Sequence, residues 1–263
     1  MSDALATMWH SFDALWSELA GASRGAFRLE RPGVRAYVIP VAPERSVFNS
    51  ITYDDADALA ACLPELGERY REAGVRAWTV WTHPGDEGAA AACAAAGHVL
   101  DATPEAMALD LGDLTDGPEL ELPLERPADH VEVTLLNSAA YGDPPGFSPE
   151  AAAGLRSPHA HRYLARDGGR AVTTCTVFDH AGDASMCFVA TAASHGRRGL
   201  GAAIMRIALR DAAARGLGIS TLQATRKGRG LYERLGYRSL GTLGMWERRE
   251  AAAGRAGPPS PAA

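Results

Sequence analysis

A chain of 263 residues, 46% hydrophobic and 22% charged, has the balance of an ordinary globular protein and the length for two modest domains. No stretch approaches the ~18–20 apolar residues that span a bilayer, and the N-terminus lacks the basic-then-apolar order of a secretory leader. The net charge of −6 hides an asymmetry: residues 1–128 hold nine arginines and no lysine against 21 acids, a balance of −12, while residues 129–263 balance at +6.

The basic half suits a polyanionic ligand such as a nucleotide cofactor, with a solvated surface as the plain alternative. Cys62, Cys93, Cys175 and Cys187 show no CxxC spacing, so no metal is expected and reduced thiols in a cytoplasmic protein are.

In chain order, Leu5, Met8, Trp9, Phe12, Leu15, Trp16 and Leu19 recur at helical spacing and predict an amphipathic helix stopped by Gly21. Residues 35–41 and 47–53 read as strands around a Pro43-Glu44-Arg45 turn, 56–72 and 87–96 as helices, and 76–82, 98–100 and 107–111 as strands. Trp78, Trp81 and His83 fall on a core strand and its end. Residues 114–127, with Pro118, Pro123 and Pro127, predict a linker. Beyond it come a helix over 131–140, strands over 161–165, 170–178 and 184–191, and a helix over 200–215. A strand over 219–225, a short helix over 230–235 and a final strand over 240–248 complete the pattern. Cys175 and Cys187 each lie six residues from Ala181 and are expected to face one another. The Ala/Gly/Pro-rich tail 251–263 is expected to be disordered. The domain reading is therefore 1–115, a linker over 116–128, a second domain over 129–250, and the tail.

Two runs carry chemistry. The first goes from Phe188-Val189-Ala190-Thr191 through Ala192-Ala193-Ser194-His195-Gly196-Arg197-Arg198 into Gly199-Leu200-Gly201-Ala202. An apolar strand thus passes through glycines and two arginines directly into a helix. A helix start leaves its first N–H groups unpaired, and its macrodipole favours an anion by ~0.3–1 kcal/mol. Glycines let backbone approach phosphate oxygens, and arginines add charge-assisted contacts. The second run is Leu222-Gln223-Ala224-Thr225, then Gly228-Arg229-Gly230-Leu231-Tyr232-Glu233-Arg234-Leu235-Gly236-Tyr237.

Together these runs resemble the GNAT superfamily of N-acetyltransferases. The first is similar to its R/Q-x-x-G-x-G/A cofactor loop and the second to its A-x-x-L-Y-E-x-L-G-Y/F segment. Order, separation and the intervening helix all match over residues 130–248. The resemblance implies a mixed α/β GNAT acyl-CoA N-acyltransferase fold, as a tandem whose first half is a degenerate GNAT-like unit. It implies acetyl-CoA as acyl donor and acetyl transfer to a primary amine, on a small molecule or a protein, by direct attack in a ternary complex. A backbone N–H near Val189 would then steady the developing oxyanion.

By the same resemblance, Val189, Ala190 and Thr191 lie along the pantetheine arm. Arg197, Arg198, Gly199, Leu200, Gly201 and Ala202 enclose the pyrophosphate, and Thr225 and Gly228 belong to the cofactor site. Tyr232 contacts the sulfur and acts as general acid. The chain departs from the pattern at Gly196, where Arg or Gln is usual, at Ala193 and Ser194, and at Thr225 and Gly228. Weaker cofactor binding is the expected consequence at Gly196.

The acceptor side is less legible. An alkylamine with a pKa near 10.4 costs about 4.6 kcal/mol to deprotonate at pH 7, yet no base is assigned. His159, His161 and Asp143 stand near the expected acceptor face, with loop or surface roles as the alternative, and Tyr141 and Phe147 would line the pocket. The first half, lacking a Gly-Arg cradle, is expected to shape the acceptor site or mediate association. A non-catalytic acyl-CoA sensor and an aminoacyl-tRNA-dependent acyltransferase remain alternatives. The acidic first half offers no basic stripe for RNA, which ranks nucleic acid below amines as a partner.

Overall fold

The computed structural model describes residues 3–142 and 149–250. The first helix, α1 (Asp3–Ala22), buries the stripe spaced in the sequence, from Leu5 through Trp9 and Phe12 to Leu19. Strands β1 (Phe27–Arg31), β2 (Val34–Val38) and β3 (Ser50–Tyr53) follow, then α2 (Ala56–Glu72), β4 (Ala77–Thr82), α3 (Glu87–Ala95), β5 (Val99–Ala102) and β6 (Glu105–Asp110). The second half runs β7 (Leu124–Glu125), α4 (His130–Tyr141), a 3₁₀ segment Pro149–Arg156, β8 (Ala160–Asp167), β9 (Arg170–His180) and β10 (Asp183–Thr191). It continues with α5 (Leu200–Ala214), β11 (Ile219–Ala224), α6 (Arg229–Leu235), β12 (Arg238–Thr242) and β13 (Gly244–Arg249).

Two mixed sheets result, in the orders β1-β2-β3-β4-β13-β5 and β12-β6-β11-β10-β9-β8-β7. Each sheet is completed by a strand from the other half of the chain. β6 pairs antiparallel with both β11 and β12, while β13 pairs antiparallel with β4 and β5. A cut at the linker would therefore leave a gap inside both sheets.

Three expectations change. The final strand over 240–248 is two strands in different sheets, because Gly241 at φ +118 redirects the chain. At Gly244 a Cβ would overlap Thr82 and lie 2.7 Å from Trp246 Nε1, so only glycine lets the chain enter the first sheet. The strand β1 is absent from the sequence reading because Arg28, Glu30 and Arg31 give an edge strand the composition of a loop. Cys175 and Cys187 do not face one another. The hairpin turns on two residues, Ala181 and Gly182, both with positive φ. Cys187 therefore pairs with Thr176, and the two thiols enter the cores on opposite faces of the sheet.

Helix α5 covers one face of the second sheet, with Ile204, Met205, Ala208 and Leu209 buried against Met107, Val177, Met186 and Leu222. The other face meets α1, whose Trp9, Phe12 and Trp16 join Phe48 and Trp81 of the first half with Ala151, Leu155 and Phe178 of the second. Contact there is backbone to backbone: a Cβ on Gly154 would lie 2.5 Å from the Glu18 carbonyl and 2.6 Å from Leu19 Cα. The linker is pinned by Arg206, buried on α5, whose Nε donates to the Thr115 carbonyl at 3.0 Å.

Candidate active site

Strands β10 and β11 run parallel but share a single ladder pair, Asp183 with Ile219. Past it they part, and the register of β10 against β9 slips between Cys187 and Ala190. The slip is a bulge at Phe188, which adopts φ +49, a conformation a bulky side chain holds only when its surroundings impose it. Phe188 turns toward the first half, with Phe48 at a ring distance of 6.5 Å. Val189 turns the other way, onto the α5 core. Ala190 and Thr191 stay paired with Thr174 and Thr173, and Thr191 Oγ1 meets Thr173 Oγ1 at 2.9 Å.

The chain then enters α5 through a loop in which Arg197 (φ +61) and Gly199 (φ +79) are both left-handed. Two such turns within three residues gather successive N–H groups into one concavity. Gly199 is the N-cap and supplies no side-chain cap, so the first amides of α5 face outward unpaired. Gly201 brings the helix against β10 and α6: a Cβ there would lie 3.3 Å from Thr191 Oγ1 and 3.2 Å from Leu231 Cδ1. Asp167, not singled out in the sequence, positions the loop. It meets His195 Nε2 at 3.1 Å and Arg198 at 3.7 Å, while Ser194 Oγ meets His195 Nδ1 at 2.9 Å. Its signal was invisible because it lies 28 residues earlier in the chain.

The corresponding mouth in the first half is closed by its own sequence. After β3, Asp55 caps α2, accepting from the Ala58 amide at 2.7 Å. Its neighbour Asp54 holds Arg35 at 2.8 Å. Carboxylates occupy the place where an anion would sit, so α2 presents no anion cradle of the kind at α5.

Of the seven tyrosines, five commit their hydroxyls: Tyr37 to Asp13, Tyr53 to Asp86, Tyr70 to two carbonyls, Tyr163 to Asp211 and Tyr237 with Ser220. Tyr232 is 7% exposed, yet its hydroxyl bonds to none of the described residues, and neither does that of Tyr141. Burial first, then the Tyr141 hydroxyl and the Cys175 thiol, raise the Tyr232 pKa above the ordinary tyrosine value. Gly228 makes the placement possible, since a Cβ there would stand 3.0 Å from the Tyr232 ring and 3.3 Å from Thr225 Oγ1.

His161 and His159 stand elsewhere. His161 pairs with Asp179 at 3.1 Å and His159 packs edge-on to Phe178, at the end of β9 away from Thr191. Asp143 and Phe147 lie outside the described residues.

At that far end Asp183 is fully buried. Thr221 Oγ1 donates to its Oδ2 at 2.7 Å, and Oδ1 has no partner among the described residues. Desolvation, opposed by Thr221 and Ser11, pushes its carboxyl from 3.8 up to about 6. A folded value above the unfolded one means that folding takes up a proton. The stability contributed is complete below about pH 4 and is lost as pH rises through about 6. Asp183→Asn is expected to melt with the parent at pH 4 and above it at pH 7.5; an equal offset at both would contradict this origin.

These features have a family. A profile described as "Acetyltransferase (GNAT) domain" matches residues 158–239. The second half carries a GNAT acyltransferase domain. A search of curated proteins found no match. Among solved structures, a GCN5-related N-acetyltransferase from Kribbella flavida is similar in fold at TM-score 0.67 and 18% identity, over 92% of this chain and 96% of that one. A GCN5-related N-acetyltransferase from Sphaerobacter thermophilus reaches TM-score 0.58 at 17% identity, over 82% and 76%. A tandem GNAT protein from the clavulanic acid biosynthesis pathway reaches 0.56 at 13%, over 84% and 79%. The GNAT likeness thus extends across both sheets. Among the described residues no helix is long and apolar enough to cross a membrane.

Proposed function

We propose that this GNAT acyltransferase uses acetyl-CoA as donor and a primary amine as acceptor, joined in a ternary complex without a covalent enzyme intermediate. The observation that carries this reading is the buried, uncommitted hydroxyl of Tyr232 on α6, beside the uncapped mouth of α5. The residues fit the cofactor: a side-chain cap is missing where a pyrophosphate would bind, Gly199 holds the left-handed turn, and Gly201 seats the helix against β10. Bound there, acetyl-CoA would supply the activated acetyl thioester. Arg197, Arg198 and the amides of Gly199 to Ala202 would hold its phosphates, and the free edge of β10 from Val189 to Thr191 would line its arm. Tyr232 would hold its proton toward the leaving sulfur.

The contact of Phe48 with Phe188 at the β10 bulge supports an acceptor bound between the halves, with the first half shaping that side. The halves 1–115 and 129–250 are read as one catalytic unit around the linker 116–128. A cytoplasmic setting suits the four free thiols.

Calorimetry with CoA, and thiol release from acetyl-CoA with a panel of primary amines, test the reading directly. Arg197→Ala with Arg198→Ala is expected to weaken CoA binding about 10–100-fold, as loss of two solvent-screened charge-assisted contacts would. No heat from CoA with folded protein, or unchanged affinity in the double variant, would overturn the placement. Failure of every amine would overturn the transfer.

A further inference from the structure

A cleft of about 650 Å³ lies away from the cofactor mouth, where the residues before α4, the start of β8 and the last turn of α5 meet. Its walls carry Arg126, Arg156, Arg162, His161 and Arg215, with Asp211 as the one acid. Two of the arginines are already neutralised. Arg126 pairs with Asp211, which also accepts from the Tyr163 hydroxyl at 3.0 Å. Arg215 makes a two-pronged pair with Asp179 at 2.7 and 2.8 Å.

The other two are not. Arg156 makes no ion pair among the described residues. Arg162 spends Nε on the Ala128 carbonyl at 2.7 Å and Nη1 on the carbonyls of Leu155 and Ala160. Those bonds hold the guanidinium rigidly and leave its charge without a carboxylate in contact. Its Nη2 hydrogens have no partner among the described residues. Arg156 and Arg162 line the same cleft, and both act on His130 at the start of α4. Asp129 acts on Arg162 and on His130, as Glu150 does on His130; Asp129 lies 3.9 Å from His130 and is more than half exposed.

A half-buried guanidinium bonded to carbonyls, with Asp129 acting on it only beyond contact, leaves room for a counter-ion. The held guanidinium of Arg162 and the exposed one of Arg156 in the same cleft match the oxygens of phosphate or a phosphomonoester, whose two charges balance theirs. We propose that this cleft is a second anion site, specific for a phosphate group and independent of the cofactor cradle at the opposite end of α5.

The probe is inorganic phosphate, with a phosphomonoester such as glycerol 3-phosphate as the second arm, titrated against chloride at matched ionic strength. The protein is the full chain carrying Arg197→Ala and Arg198→Ala, so that the cofactor loop does not report. Phosphate is expected to raise the melting temperature beyond chloride and to give a saturable heat. Adding Arg156→Ala, which leaves the carbonyl contacts of Arg162 untouched, is expected to weaken phosphate binding about 10–100-fold. In the otherwise unaltered chain, Arg156→Ala is expected to leave CoA affinity unchanged. Effects of both phosphate and the phosphomonoester no larger than that of chloride, or affinity indifferent to Arg156, would overturn the proposal. Saturation by the phosphomonoester alone would identify an esterified phosphate as the ligand.

Discussion

A chain lacking residues 1–115 is expected to lose CoA binding altogether and to be recovered as aggregate. The cofactor loop itself lies far downstream, so sequence position alone would forecast little effect. The deletion removes β6 from between β11 and β12, opening a gap about 10 Å wide at the strand spacing of a sheet. It also takes Met107, Leu109 and Leu111 out of the core that holds α5 and α6. Burial of such side chains is worth about 1.5–3 kcal/mol each, and three together rival the ~5–15 kcal/mol that holds a domain folded. The helix carrying Tyr232 then has no floor. Size-exclusion chromatography and calorimetry with CoA check this. A soluble monomer binding CoA within tenfold of the full chain would refute it. Co-expressing 1–115 with 116–263 is expected to restore binding, because each fragment carries the strand the other lacks.

Tyr232→Phe is expected to lower kcat about 100-fold while CoA affinity and melting temperature stay put. Stability is spared because the hydroxyl contacts no described residue and phenylalanine fills the same space. The size of the kinetic effect follows from proton affinities. A thiolate leaving group has a pKa of about 8.5. Tyr232 is held above 10.0 by burial and by Tyr141, so complete proton transfer to sulfur runs uphill by at least about 2 kcal/mol. What remains is a hydrogen bond that strengthens as charge develops, at the lower end of the ~10²–10⁴ span for a positioned donor. Steady-state rates with acetyl-CoA and the best amine of the panel measure it. An unchanged kcat would reduce Tyr232 to a packing residue.

Much of this protein was written locally. Helical periodicity in α1, the Gly199 stop-and-start and the short Tyr232 helix are patterns of neighbouring residues, so fold class, most element boundaries and the family resemblance could be read from the chain. The phosphate-cradle expectation has the same origin, because an uncapped helix start is a property of a few consecutive residues.

Tertiary structure decided what depends on residues far apart in sequence. The exchange of β6 and β13 needed Gly241 and Gly244 to fit against Pro84 and Thr82, contacts no local pattern encodes. The loop's support by Asp167, the raised carboxyl of Asp183 and the carbonyl-held Arg162 likewise arise from burial and partner geometry. The parting of β10 from β11 belongs with them, because β10 bulges at Phe188 while its neighbour keeps register. Backbone conformation is set by adjacent residues, but which charges and hydroxyls remain unspent is set only once the halves close on one another.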